Sequence, residues 1–203
     1  MSDFTLDNSH NYFDVLKELG NIGAGNATTA LSQMLGCKVD MKVPQVKLLE
    51  FKEIGEAMGG EEQLMAGVYV MVAGDIAGSM MFLLEKKAAH SLVAKLMMTE
   101  PNLEDDFSEM EWSALKEIGN IIVSSYLNSL ATMTNMKIVS SVPDLTIDMA
   151  GALLSVPAIH FGEMGDKMLL IETRFLDEVD IEGYFILIPD LESYDRILTT
   201  LGM

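Results

Sequence analysis

Two long stretches of the chain carry apolar residues at helical spacing. From about Asn11 to Leu35, the residues Leu16, Leu19, Gly20, Gly23, Ala27 and Met34 share one side of a helix, and Gly36 ends the run. Asp14, Glu18, Asn21 and Gly25 fall on the opposite side, and Asp7 or Asn8 is the expected N-cap. A second helix is predicted from Ser108, where Glu111 completes a capping-box pattern. There Leu115, Ile118, Gly119, Ile122, Tyr126 and Met133 form the apolar stripe, and Ser113, Glu117, Asn120 and Ser124 the polar one.

Each helix is followed by an extended stretch, "KVDMKVPQVKLLEF" after the first and "KIVSSVPDLTIDM" after the second. Both contain a proline, which suits an edge or a strand start better than a central strand. Further strands are expected in "GVYVMVAGDIAGSMMFLLE", folded as a hairpin about Gly74-Asp75, and in "KMLLIETRF" and "GYFILIPD", joined by an acidic connection. Amphipathic helices follow over Lys86 to Met98 and Leu191 to Leu201. "DMAGALLSVPAIH" is expected as a short helix capped by Asp148 or as another strand, stopping early at Pro157 in either case.

The two long patterns are copies. "KELGNI" at 17–22 recurs as "KEIGNI" at 116–121, an offset of 99, and the same offset aligns Lys38-Val39 with Lys137-Ile138 and Val43-Pro44 with Val142-Pro143. An ungapped register of that length predicts one supersecondary unit written twice, about 10–98 and 109–203. The connection "MTEPNLEDDFSE" then lies inside a single domain of residues 1–203. The expected fold is α/β, an α+β sheet with long helices on one face and a pseudo-twofold internal repeat.

Composition narrows the function classes. With 31 acidic against 13 basic residues the net charge is −18, and no basic run offers the patch a nucleic-acid backbone needs. The densest acidic cluster, Glu104, Asp105, Asp106, Glu109 and Glu111, fits a solvated connection and helix start or a docking surface. Cys37 is the only cysteine, which excludes an intrachain disulfide and suits a reducing compartment. No apolar run is long enough to span a membrane and no leader pattern opens the chain, so a cytoplasmic location is expected. His10, His90 and His160 are scattered without metal-ligand spacing and are expected to be structural or surface residues. The 17 methionines suit adaptable core filling more than a sticky surface.

The chemistry lies between the glycines. Gly20, Gly23 and Gly25 read G-x-x-G-x-G inside a helix, whereas a dinucleotide fingerprint needs G-x-G-x-x-G after a strand. Gly20 and Gly119 are shared by the copies and sit on the packing stripe. Gly25, replaced by Ser124 in the second copy, lies on the polar face, where it leaves room for a partner. What the copies keep on that face is Glu and Asn three residues apart, projecting in one direction from a rigid element. Asn is a poor residue for a helix interior, so its use at both equivalent positions asks for a reason.

These residues resemble the signature of the CheC-type chemotaxis phosphatases, a family that includes CheX and the flagellar switch protein FliY. The signature is Asp or Ser, three residues, Glu, two residues, Asn, twenty-two residues and Pro; it is met by Asp14, Glu18, Asn21 and Pro44, and again by Ser113, Glu117, Asn120 and Pro143. Two intact motifs without a flagellar-switch extension place the resemblance on the CheC branch. It implies an enzyme of bacterial or archaeal chemotaxis that hydrolyses the aspartyl phosphate of a CheY-type response regulator. Asn21 and Asn120 would orient the water, and Glu18 and Glu117 would pair with a lysine of the partner. Asp14 and Ser113 would support the site or simply face water, and Pro44 and Pro143 would shape the backbone. The resemblance implies no cofactor of the chain's own, with Mg²⁺ brought by the response regulator. It also implies a CheD-type deamidase as second partner, for which Asp148 and the segment after it are the candidate contact. The alternative is a noncatalytic switch-like module that binds the phosphorylated regulator without hydrolysing it.

Overall fold

The computed structural model describes residues 6–36, 38–43, 45–103, 105–161, 167–176 and 181–202. Cys37 and Pro44 lie outside the described residues, as do the side chains of His10 and His160. The elements run α1 (Leu6–Leu35), β1 (Asp40–Lys42), β2 (Val46–Glu50), α2 (Phe51–Ala57), β3 (Leu64–Gly74), β4 (Gly78–Glu85) and α3 (Lys86–Met97). They continue with α4 (Glu109–Thr134), β5 (Ile138–Ser140), β6 (Asp144–Met149), α5 (Ala150–Phe161), β7 (Lys167–Leu176), β8 (Ile181–Pro189) and α6 (Leu191–Thr200). The same order of helix and strand is thus met twice.

The eight strands among the described residues form one antiparallel sheet, ordered β1-β7-β8-β4-β3-β5, with β2 also on β7 and β6 also on β3. The short strands cross over: β1 and β2 pair with β7, more than a hundred residues later, while β5 and β6 pair back onto β3. At the centre β4 lies against β8 with Phe82 opposite Phe185, their rings stacked at 4.7 Å between centroids. Burial on both faces explains why β4 is apolar almost throughout rather than alternating. Met80, Phe82 and Leu84 enter the core under the long helices, whereas Met81 and Leu83 enter a second core with Ile54 of α2, Met58 just after it, and Leu153 and Leu154 of α5.

The long helices therefore cover one face, as expected, and two shorter helices cover the other. α1 and α4 also pack against each other. A Cβ on Gly23 would stand 2.8 Å from the Tyr126 ring, which itself stacks on Phe185. Gly20 abuts Val43 and Ile171, and Gly119 abuts Val68 of β3. The shared glycines are close-packing positions.

Several local expectations are corrected. α1 begins at Leu6, so Asp7 and Asn8 lie inside the helix and neither caps it. The first extended stretch is broken into β1 and β2, and the sequence pattern gave no sign of α2. The segment after Asp148 is a helix, and it runs past Pro157 to Phe161. Burial of Leu153, Leu154 and Pro157 itself outweighs the single backbone bond the proline forfeits. Asp148 does not cap that helix: it sits on β6 opposite Met65 and accepts from the Met149 N–H at 2.8 Å. The amides of Ala150 and Gly151 donate instead to the carbonyls of Gln63 and Glu61. At the start of α4 the capping box is formed, with the Ser108 N–H donating to Glu111 and the Glu111 N–H donating to the Ser108 hydroxyl.

The methionines divide between core and surface. Met58, Met65, Met80 and Met81 are buried, while Met71, Met98, Met110 and Met149 are exposed. His90 is buried on α3, stacked flat on Phe107 at 3.7 Å, a structural placement. In the connection between α3 and α4, Asp106 pairs with Lys86 at 2.9 Å and Asp105 accepts from Asn102.

Candidate active site

The apolar stripes of α1 and α4 are used up by the sheet and by each other, which leaves their polar stripes outward. Asp14, Glu18, Asn21 and Gly25 on α1 are exposed, and so are Ser113 and Glu117 on α4. Asn120 and Ser124 are half-buried. Within each helix Glu and Asn stand three residues apart, close to one turn, and so rise side by side from a backbone that packing holds still. The two pairs occupy separate helices.

The helices are also tied to each other through side chains. Asn26 of α1 donates to the Ser129 hydroxyl of α4 at 3.2 Å, and Ser129 donates in turn to the Ser125 carbonyl at 2.8 Å. The tie is not legible in the sequence, because the partners are 103 positions apart and no local pattern links them.

The supporting residues behave differently in the two copies. The Ser113 hydroxyl donates to the Glu109 carbonyl at 2.9 Å, so it is tied to its own helix and not to Glu117. Asp14, its counterpart, is exposed one turn before Glu18. Pro143 is buried in the short gap between β5 and β6, where a missing N–H costs no ladder bond. Asp148 is exposed at the end of β6, well separated in sequence from both pairs and flanked by the exposed Met149 and Leu64.

Chemically, each pair offers a carboxylate and a neutral amide on an open surface. The amide can accept and donate at once, so it can hold a water in a chosen direction. The carboxylate can pair with a cation on an incoming macromolecule. Ile22, 38% exposed beside Asn21, adds an apolar contact on the first helix. Among the described residues no group of three or more His, Cys, Asp or Glu side chains is placed to hold a metal ion. Among the same residues no helix is long and apolar enough to cross a membrane.

A model of the CheC-like family matches residues 14–48 and 110–147, segments that contain both Glu/Asn pairs and both prolines. The chain is 34% identical over 194 residues to the CheY-P phosphatase CheC of Bacillus subtilis (strain 168), covering 93% of each chain. It is 29% identical over 132 residues to the flagellar motor switch phosphatase FliY of the same organism, spanning 64% of this chain and 34% of that protein. The crystal structure of Thermotoga maritima FliY superposes with a TM-score of 0.76 at 21% identity, over 99% of this chain and 98% of that one. That last likeness concerns the fold.

Proposed function

This chain belongs to the CheC-like family, and from that premise we propose that it is a phosphatase that removes the aspartyl phosphate of a CheY-type response regulator. The observation that carries the proposal is the pair of outward Glu and Asn residues, set one turn apart on each of two rigidly packed helices. An acyl phosphate is already activated, so its hydrolysis chiefly needs a water held in line with the leaving carboxylate. Asn21 and Asn120 hold that water. Its oxygen bonds to phosphorus, the bond from phosphorus to the aspartyl oxygen breaks, and the products are the free carboxylate and inorganic phosphate, which takes the water's proton.

Glu18 and Glu117 pair with a lysine beside the phosphorylated aspartate and fix the docking register. Asp14 flanks the first pair as a supporting contact, and Pro44 and Pro143 shape the chain beyond the helices. Mg²⁺ belongs to the response regulator's own site, where it offsets charge on the phosphoryl group. The outward position of both pairs suits this division of labour, since the substrate is a folded protein and not a small molecule in a cleft.

A CheD-type deamidase is the second proposed partner, bound at Asp148 and the start of α5. The exposure of Asp148, Met149 and Leu64 favours that surface. Asp148→Lys should abolish capture of the deamidase and leave basal phosphatase activity intact; unchanged capture would remove Asp148 from the contact.

The test of the main proposal is decay of the phosphorylated regulator with wild type, Asn21→Ala, Asn120→Ala and the double variant. The double variant should lose at least about tenfold in rate, or ~1.4 kcal/mol of transition-state stabilisation. Undiminished decay in the double variant would contradict the mechanism. It would favour a switch-like docking module, which has no use for the amides.

A further inference from the structure

We propose that Ser124 is a positioning residue of the second site, holding the Asn120 amide in the orientation that receives the water. The inference rests on the phosphatase reading above and adds a group that the family signature does not contain.

The serine and threonine hydroxyls of α4 have a common habit, from which Ser124 departs. Ser113, Ser125, Ser129, Thr132 and Thr134 each donate to the backbone carbonyl four residues earlier, at 2.6 to 2.9 Å. That bond is the default for a short hydroxyl side chain inside a helix. The Ser124 hydroxyl instead is directed at the side chain four residues earlier, with Oγ 3.5 Å from Asn120 Oδ1. The separation is long for a hydroxyl donor, as is common at sites that tighten only when the reacting partner arrives. Both groups are half-buried, so the contact is partly shielded from competing water.

The geometry leaves the amide fit for its task. An amide oxygen has two lone pairs, so accepting from Ser124 leaves one for a proton of the attacking water. A tethered amide has fewer rotamers to lose when it reaches the transition state, which acts on the rate of the chemical step more than on docking. The first site is built without this device. Four residues after Asn21 stands Gly25, and a Cβ built there meets nothing within 4 Å.

The test isolates the second site in an Asn21→Ala background and measures kcat and KM for phosphorylated regulator with Ser124→Ala and Ser124→Thr. Ser124→Ala should lower kcat about threefold to tenfold, the range a neutral hydrogen bond supports. KM should stay within about twofold, and Ser124→Thr, which keeps the hydroxyl, should recover most of kcat. Thermal unfolding of each variant is followed alongside, to exclude a loss of folded protein. An unchanged kcat in Ser124→Ala, a loss carried by KM alone, or a Thr variant no better than Ala would overturn the inference. The Asn21→Ala/Asn120→Ala variant separates the two levels. If it retains full activity, the phosphatase mechanism fails; if it loses activity while Ser124→Ala does not, only the role of Ser124 fails.

Discussion

Replacing each helical glycine by alanine separates packing from surface roles, and Gly119 and Gly25 give the sharpest contrast. In a helix interior, alanine is favoured over glycine by about 1 kcal/mol. At Gly25 nothing lies within 4 Å of the new methyl, so that gain should appear nearly undiminished. At Gly119 the methyl would overlap the Val68 side chain, with Val68 Cβ at 3.0 Å and Cγ1 at 3.1 Å. Val68 is β-branched, 2% exposed and held in β3 between β4 and β6, so it cannot swing aside. Overpacking of this kind costs about 1 to 3 kcal/mol, which cancels or exceeds the helical gain. The two variants should therefore differ by about 1 to 3 kcal/mol, with Gly25→Ala above wild type and Gly119→Ala level with it or below. Urea unfolding monitored by far-UV circular dichroism reads the difference, provided the slope with denaturant is unchanged. A Gly119→Ala protein as stable as Gly25→Ala would refute the packing role assigned to the shared glycine.

Other perturbations follow from the same contacts. Burial, helped by the nearby Lys86 charge, lowers the pKa of His90, against weaker opposite pulls from Glu111 and Asp106. The unfolded chain then binds a proton that the native state resists, so stability should fall as pH drops below about 6.5. Chemical denaturation at pH 7.5 and 5.5 should show a smaller fall in His90→Phe, which keeps the stack on Phe107; an equal fall would free His90 of the effect. Ser108→Ala removes a formed capping box and should cost about 1 kcal/mol by urea unfolding, whereas Ser108→Asp should cost less. Phe82→Ala opens the centre of the β4 and β8 pair and should cost about 3 to 5 kcal/mol, so a near-neutral result would contradict the central stacking with Phe185.

What could be read from sequence was what local periodicity encodes. The stripes from Leu16 to Met34 and from Leu115 to Met133 mark the helix sides that face the core, and the opposite stripes put Glu18, Asn21 and Glu117 in solvent. The hairpin at Gly74 is equally local, since its positive φ leaves little choice of residue. Partners distant along the chain were not legible. Nothing in β2 announces that it pairs with β7 rather than a nearby strand, and nothing in Asn26 announces Ser129. α2 is not legible because it has only seven residues, Gly55 interrupts its pattern and Gly59 and Gly60 follow close behind it; the Glu61 side chain lies where a Cβ on Gly55 would go. The cap expected from Asp148 failed for a similar reason, as the loop carbonyls of Glu61 and Gln63, far back in the chain, had already taken that place.

Catalysis by this chain is tested most directly by turnover. Phosphorylated response regulator, with its Mg²⁺, is supplied in about hundredfold excess over the chain, and release of inorganic phosphate is followed beyond one equivalent. The expected result is steady release over many equivalents, faster than spontaneous decay and lost in Asn21→Ala/Asn120→Ala while binding of the phosphorylated regulator persists. Phosphate release at the spontaneous rate, with binding intact in the wild-type chain, would contradict the enzymatic role and leave a docking module.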